Sequence, residues 1–193
     1  MPHPQSLAVS LFAEPIEKIA EVALAVLLPQ YRAAPTHLAP LDFQPDPQAE
    51  PQAILWSPQA SPEKCALIGN QGDGWYSLTN LVAKQLKSGV LNFRATAAEQ
   101  YVCAFDYWLN GQRLRSVMAL QDEPWMFRQG GKPLQEEDLQ QYKARKIKDR
   151  VTPQSLANLA TKLGWPVLEP HFWRPAGSAR ILMSTPATAK NAA

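Results

Sequence analysis

The sequence predicts an α+β protein in which an antiparallel β-meander sheet is packed by about four helices. Three observations support this class: a β-hairpin signal mid-chain, apolar strand-like segments before it, and amphipathic helical segments on both sides. A length of 193 residues with 46% hydrophobic residues fits one globular domain. We expect this domain to span residues 1–174 and to be followed by a weakly ordered tail at 175–193.

The first third of the chain predicts one helix and a long loop. Pro15 suits the first position of a helix, and the apolar residues of segment 16–28 follow helical spacing. That helix is either buried within one chain or forms a contact between two copies. Eight prolines in residues 29–62 exclude regular helix or a central strand there. We predict a long loop with one short strand at 53–56.

A buried strand at 64–69 and a helix starting near Ser77 follow, joined by the glycine-rich segment GNQGDG at 69–74. A phosphate-binding loop needs a Gly-Lys-Ser/Thr end, and a dinucleotide-binding loop needs another glycine spacing. The segment has neither, so an ordinary turn is favoured. Near the C-terminus, residues 135–148 and 153–163 predict two further helices, the second with Thr152 as its N-cap.

The hairpin centres on the Asn-Gly pair at 110–111, which is a strong turn signal. A two-residue loop predicts a register in which Asp106 faces Arg115 and Trp108 faces Arg113. These pairs join opposite charges, and an aromatic ring with a guanidinium, and both are favourable across strands. We expect the Trp108 end of the hairpin to be open to solvent.

Charge and hydropathy exclude several classes of protein. Residues 1–73 hold eight acids and three bases, and the remainder is basic, a dipole that can steer a charged partner. The basic run at 142–150 spreads around its predicted helix after three acids, which disfavours a nucleic-acid site. Segment 16–28 is too short and too charged to cross a bilayer, and the N-terminus lacks a signal-peptide pattern. We expect a cytoplasmic protein.

No complete catalytic or metal-binding set is visible in the sequence, and we expect no cofactor. The three histidines show no metal-ligand spacing. Cys65 and Cys103 lie in strand-like segments, which favours two free buried thiols over a single disulfide. A Cys65 nucleophile with His171 as its base is the enzymatic alternative.

One segment resembles a known class. Residues 107–137 contain an aromatic strand, the Asn-Gly hairpin, an arginine-bearing return strand, Trp125, a Gly-x-Pro at 131–133 and the acids Glu136 and Glu137. This layout resembles bacterial immunity proteins encoded beside polymorphic or contact-delivered toxins. The resemblance implies a cytoplasmic α+β protein that binds and blocks one toxin, and it defines no inhibitory residues.

The functional hypothesis is therefore a non-enzymatic, protein-binding inhibitor, an immunity protein that occludes a cognate toxin. The alternative is an adaptor or chaperone-like binding module of a secretion or assembly system. Tryptophan beside arginine is typical of binding hot spots. The predicted contact patch is formed by Asp106, Trp108, Arg113 and Arg115. The acids of the proline-rich loop form a second candidate surface, suited to a basic nuclease: Asp42, Asp46 and Glu50.

Overall fold

The computed structural model describes residues 6–43, 46, 48–96 and 101–185. Over these residues the chain forms one nine-stranded antiparallel sheet with three α-helices, which confirms the α+β class. The helices are α1 (Ile16–Val26), α2 (Tyr76–Gln85) and α3 (Pro153–Lys162). The strands are β1 (Ser6–Phe12), β2 (Tyr31–Thr36), β3 (Ala53–Trp56), β4 (Cys65–Gly69), β5 (Val90–Thr96), β6 (Val102–Leu109), β7 (Gln112–Leu120), β8 (Met126–Gly131) and β9 (Ala179–Ser184).

The strand order is β2-β9-β3-β4-β1-β5-β6-β7-β8, and each face of the sheet carries its own apolar core. Helices α1 and α2 pack on one face, here called the α1/α2 face, where Leu55 and Leu67 are buried. Helix α3 and residues 165–173 cover the other, the α3 face, where Ile54 and Trp56 are buried. Because both faces are covered, β3 and β4 are apolar at nearly every position instead of alternating.

The apolar stripe of α1 is buried against the sheet of its own chain. Ile19 and Ala23 are fully buried there, and Ile16 and Val22 nearly so. Burial within one chain therefore accounts for the stripe. Association of two copies through segment 16–28 stays a prediction.

The predicted helix at 135–148 is wrong. Within the described residues this stretch contains turns and two short 3-10 helices, Gln141–Lys143 and Ile147–Asp149. Asp138 accepts from the Gln140 amide at 3.1 Å, a donor that a helix would direct to the carbonyl of Glu136, and Glu137 accepts from the Leu134 amide at 2.6 Å just before the predicted helix. Such local hydrogen bonds compete with regular helix, so the helix count is three and not four.

The predicted loop at 29–62 and the tail at 175–193 both contain strands that the sequence reading missed. Strand β2 pairs with β9 over Tyr31–Thr36, and β9 also pairs with β3, so β9 lies inside the sheet. Pro35 is compatible with this arrangement because β2 is an edge strand. A weakly ordered tail is thus wrong for 179–184, and residues 186–193 lie outside the described residues.

Candidate functional site

Beyond α2, the α1/α2 face opens into a cleft of about 450 Å³. Strands β1, β5, β6, β7 and β8 form its floor, and α2 with the segment before it forms one wall. Three arginines line it, Arg94, Arg113 and Arg128, against two acids, Asp73 and Asp106. We call it the arginine cleft. Its volume is within the range of sites that bind small molecules or inserted side chains.

Two cross-strand rows of side chains make up the floor. Residues opposite each other on antiparallel strands point to the same face. Each row is therefore the series of partners that runs across the five strands from β1 to β8. The outer row is Ala8, Arg94, Ala104, Met118 and Arg128. The inner row is Ser10, Asn92, Asp106, Ser116 and Gly130. The floor is therefore polar along one row and cationic at two positions of the other.

The glycine-rich segment at 69–74 forms the wall against β1. Gly74 has φ +72°, and a Cβ on it would lie 2.6 Å from the Cβ of Ala8. Only glycine permits this approach, which brings the start of α2 over the floor. Asp73 fixes the turn by accepting a hydrogen bond from the Trp75 amide at 2.9 Å. The segment is thus a structural turn, and it also shapes the cleft.

Asp106 lies buried in the inner row between two partners of different kinds. One carboxylate oxygen accepts a short hydrogen bond from the Tyr76 hydroxyl of α2. The other lies 3.6 Å from an Arg113 guanidinium nitrogen, close enough for an ion pair but too far for a hydrogen bond. Burial, and next the hydrogen bond to Asp106, raise the pKa of Tyr76. Tyr76 is therefore a neutral donor at physiological pH.

The Asn92 side chain is buried in the floor without a hydrogen-bond partner among the described residues. It is only 5% exposed, and neither its amide nitrogen nor its amide oxygen makes a hydrogen bond within the described residues. More than nine in ten buried polar groups in native proteins are paired, and an unpaired one costs about 1–3 kcal/mol. A group kept in this state beneath a cleft is typical of binding sites.

The two outer-row arginines have no acidic partner among the residues that the structure describes. Among the described residues neither Arg94 nor Arg128 forms an ion pair, and the Arg128 guanidinium donates a hydrogen bond to the Met126 sulfur at 3.4 Å. Arginine binds carboxylates and phosphates through two parallel N–H groups. The cleft can therefore hold an anionic group.

The predicted contact patch does not form as one surface. The register shifts by one residue between Tyr107 and Trp108, so Arg115 faces Tyr107, Asp106 faces Ser116, and only the Trp108–Arg113 pair remains. Trp108 is 7% exposed in the core under α2, so the expectation of an open Trp108 end is wrong. Asp106 and Arg113 lie in the cleft.

Arg115 points to the α3 face and is 2% exposed. Its guanidinium donates to both carboxylate oxygens of Glu137 at 2.8–3.1 Å and to the carbonyls of Gly130 and Gly131. Glu137 also accepts from the Tyr142 hydroxyl at 2.8 Å. This network joins the segment at 134–142 to the sheet, so Arg115 has a structural role and is not available to a partner.

The acids of the proline-rich loop are all exposed: Asp42, Asp46 and Glu50. Two of them flank Asn70, which accepts from the Asp46 amide at 2.8 Å and donates through its side chain to the Glu50 carbonyl at 2.9 Å. This part of the loop is therefore held to the end of β4, and its acidic residues are exposed on the surface.

The enzymatic alternative is not supported by the positions of its two groups. Cys65 is fully buried on the α1/α2 face, and burial raises the pKa of its thiol well above the ordinary value. His171 is exposed beside Phe172 of the α3-face core, with a ring nitrogen 3.0 Å from Gln59.

Cys65 and Cys103 are free thiols. No cluster of three His, Cys, Asp or Glu side chains suited to a metal occurs in the described parts of the chain.

Sequence reasoning missed Asn92, Arg94 and Arg128 as site residues. The available signal was the alternation of β5, where Asn92, Arg94 and Thr96 share one face against apolar neighbours. That pattern indicates a polar face. It does not reveal that Arg128, three strands away in the sheet, lies in the same row.

Compared with known proteins, the chain matches no family model, no curated protein and no solved structure. None of the helices in the described ranges is long and apolar enough to span a membrane.

Proposed function

We propose that this chain is a non-enzymatic inhibitor that binds a partner protein through the arginine cleft, and that the partner is a bacterial toxin it neutralises in the cytoplasm. The observation that supports the binding site is the pair of arginines, Arg94 and Arg128, that share one row of an open cleft and form no ion pair within the described parts of the chain. An acidic segment of the partner supplies the missing counter-charge.

Arginine in a concave and partly desolvated site is a frequent binding hot spot, because its fork fits a carboxylate with little loss of rotamer freedom. Strands β1, β5, β6, β7 and β8 hold both arginines on a continuous sheet, so the cleft is preorganised. Preorganisation lowers the ordering cost of association. These properties favour tight binding over transient contact.

The immunity form of the proposal comes from segment 107–137, whose layout resembles immunity proteins. That segment supplies β7, β8 and the hairpin end of β6, and with them Arg113, Met118 and Arg128 of the cleft. The part of the chain that carries the resemblance is thus also the part that builds much of the candidate site.

The acidic loop of Asp42, Asp46 and Glu50 is a second contact surface in this proposal. Its charge is opposite to that of the cleft, so the two surfaces select partners of opposite charge or two regions of one partner. The cleft is the primary site, because it combines charge with concavity and with an unpaired buried amide at Asn92.

The test is affinity purification of the tagged protein from its native host, with a salt wash and mass spectrometry. Three forms are compared: the wild type, Arg94→Glu with Arg128→Glu, and a control, Arg145→Glu with Lys146→Glu, at exposed bases outside the cleft. Each double variant changes the charge equally. Thermal unfolding confirms that all three are folded.

We expect one stoichiometric partner with the wild type and the control, and its loss with the cleft variant. That partner is toxic when expressed alone and harmless beside the wild-type chain. Equal retention by the cleft variant would overturn the site. A partner that is not toxic, but is part of a secretion or assembly machine, would replace the inhibitor with the adaptor alternative.

A further inference from the structure

The two edges of the sheet differ in their capacity to accept another strand. Strand β2 forms one edge, and its Pro35 has no N–H to donate. Strand β8 forms the other edge, and its six residues include no proline. An unprotected edge presents a row of backbone donors and acceptors to any extended segment. The β8 edge is thus the better candidate for strand addition.

The outer backbone of β8 is open over part of its length. Within the described residues, the main chain of Met126–Gly131 makes backbone hydrogen bonds only with β7. The carbonyls of Gly130 and Gly131 accept from Arg115, so residues 126–129 form the free part. Four residues are enough to register a short added strand, as strands of three residues or more occur in proteins.

The free edge is continuous with the arginine cleft. Arg128 is the last residue of the outer row, and an added strand would place one side chain next to it, about 5 Å away on the same face. Gly130 ends the inner row, and a Cβ there would meet nothing within 4 Å, so the floor is open at this end. A segment on the edge can therefore direct a side chain over the floor.

Charge selects the occupant of this edge. Arg128 repels a strand that carries a base at the facing position and attracts one that carries a carboxylate. A second copy of β8 carries the same arginine and lacks an acid, as its sequence is MFRQGG. Pairing between two copies of this chain therefore offers Arg128 no counter-charge in any register, whereas an acidic segment of a different protein does.

We propose that the partner adds an extended acidic segment to β8 as a tenth strand and projects a carboxylate over Arg128 toward Arg94. This inference rests on the proposed function and specifies how the cleft is occupied. Backbone hydrogen bonds along residues 126–129 supply affinity, and the arginine row supplies the preference for acidic side chains, a division typical of strand addition.

Amide hydrogen exchange followed by NMR tests the inference on the full chain. The probe is the peptide acetyl-Thr-Glu-Val-Glu-Val-Glu-Thr-amide at millimolar concentration. A second peptide with lysine in place of each glutamate, and N-acetylglutamate alone, are the matched controls. We expect the acidic peptide to slow exchange at alternate amides of residues 126–129 by roughly tenfold or more, and the controls to leave these amides unchanged. Arg128→Glu should reverse the choice between the two peptides.

Three results would overturn the inference. N-acetylglutamate could shift the Arg94 and Arg128 signals as the acidic peptide does, without any protection of β8, which would make the cleft a site for small carboxylates. Both peptides could protect β8 equally, which would remove the role of charge. The third result is that neither peptide binds, which would mean that the β8 edge does not accept a strand. In each case the affinity purification of the Arg94→Glu, Arg128→Glu variant still decides the proposed function separately.

Discussion

Asn92 and Asp106 lie directly opposite each other on β5 and β6, in the inner row of the arginine cleft, and each has a buried oxygen without a hydrogen-bond donor in the described chain. The Asn92 oxygen is a local cost to folding, because it has lost water without gaining a hydrogen bond, and the Asp106 oxygen has only its ion pair with Arg113 at 3.6 Å. The cost is consistent with a site that is completed by a ligand or a partner.

Replacing Asn92 with leucine tests this cost. We expect the Asn92→Leu variant to be as stable as the wild type or more stable by about 1–2 kcal/mol, because an unpaired buried amide is exchanged for an apolar group. Urea unfolding measures the change, and Asn158→Leu on the exposed side of α3 is the control, with an expected change within about 0.5 kcal/mol. A clear destabilisation by Asn92→Leu would mean that the amide is paired.

The ion pair between Arg115 and Glu137 should behave in the opposite way. Both side chains are almost fully buried, and removing one charge leaves the other without a counter-charge. We expect Glu137→Gln to cost about 3–5 kcal/mol, and the double variant Arg115→Met, Glu137→Leu to recover a large part of that loss. Denaturant unfolding of Arg115→Met, Glu137→Leu and the double variant provides the double-mutant cycle. Additive losses would show that the two residues act independently.

Trp108 is expected to contribute to folding and not to a surface hot spot. Its ring is buried in the core under α2, whereas the neighbouring Arg113 side chain is half exposed. Trp108→Ala should cost about 3–5 kcal/mol, from lost burial and the cavity left behind. Arg113→Ala should change stability by less than about 1 kcal/mol. If thermal and denaturant unfolding showed equal small effects, the indole would have to lie outside the core.

The raised pKa of Cys103 predicts that the free energy of unfolding decreases at alkaline pH. Burial raises the pKa of its thiol from 9.0 to about 11, although a hydrogen bond with Tyr101 acts in the opposite direction. Between these values the unfolded thiol is ionised while the folded thiol is not. The stability contribution is therefore complete below pH 9.0 and is lost as the pH rises toward 11. Cys103→Ala should flatten this part of the pH profile relative to the wild type.

A thiol reagent gives an independent measurement. Cys65 and Cys103 are both buried, so we expect each to react slowly in the native protein and rapidly in denaturant. The phase that is lost in Cys103→Ala belongs to Cys103, and the phase that remains belongs to Cys65. Fast modification of either thiol in the folded chain would contradict its burial.

Much of the local structure could be predicted from the sequence, because the determining interactions are short-range. The Asn-Gly turn determines the β6–β7 hairpin, and Thr152 with Ser155 forms the capping box that begins α3. The apolar stripe of α1 predicts its buried face. These features depend on residues within a few positions of each other, and their chemistry is visible in the printed order.

The errors share a different cause. The segment at 135–148 is joined to the sheet by Glu137, which pairs with Arg115, 22 residues earlier in the chain, and the local sequence pattern does not reveal this contact. The predicted hairpin register is wrong beyond Leu114, because this residue has no partner on β6. The resulting one-residue shift directs Arg115 toward Glu137. The strand at 179–184 lacked a strong pattern of its own, and it is a strand because it lies between β2 and β3.

By itself the sequence determined the α+β class, the positions of most strands and the absence of an obvious catalytic motif, since composition, periodicity and turn chemistry are local properties. Only the tertiary structure decided which charged residues meet. Arg94 and Arg128 belong to one row because Ala104 and Met118 pair between them, and Trp108 and Arg115, neighbours of the same hairpin, are buried on opposite faces. Strand pairing and a one-residue shift set these relations, and neither is encoded by residues that are adjacent along the chain.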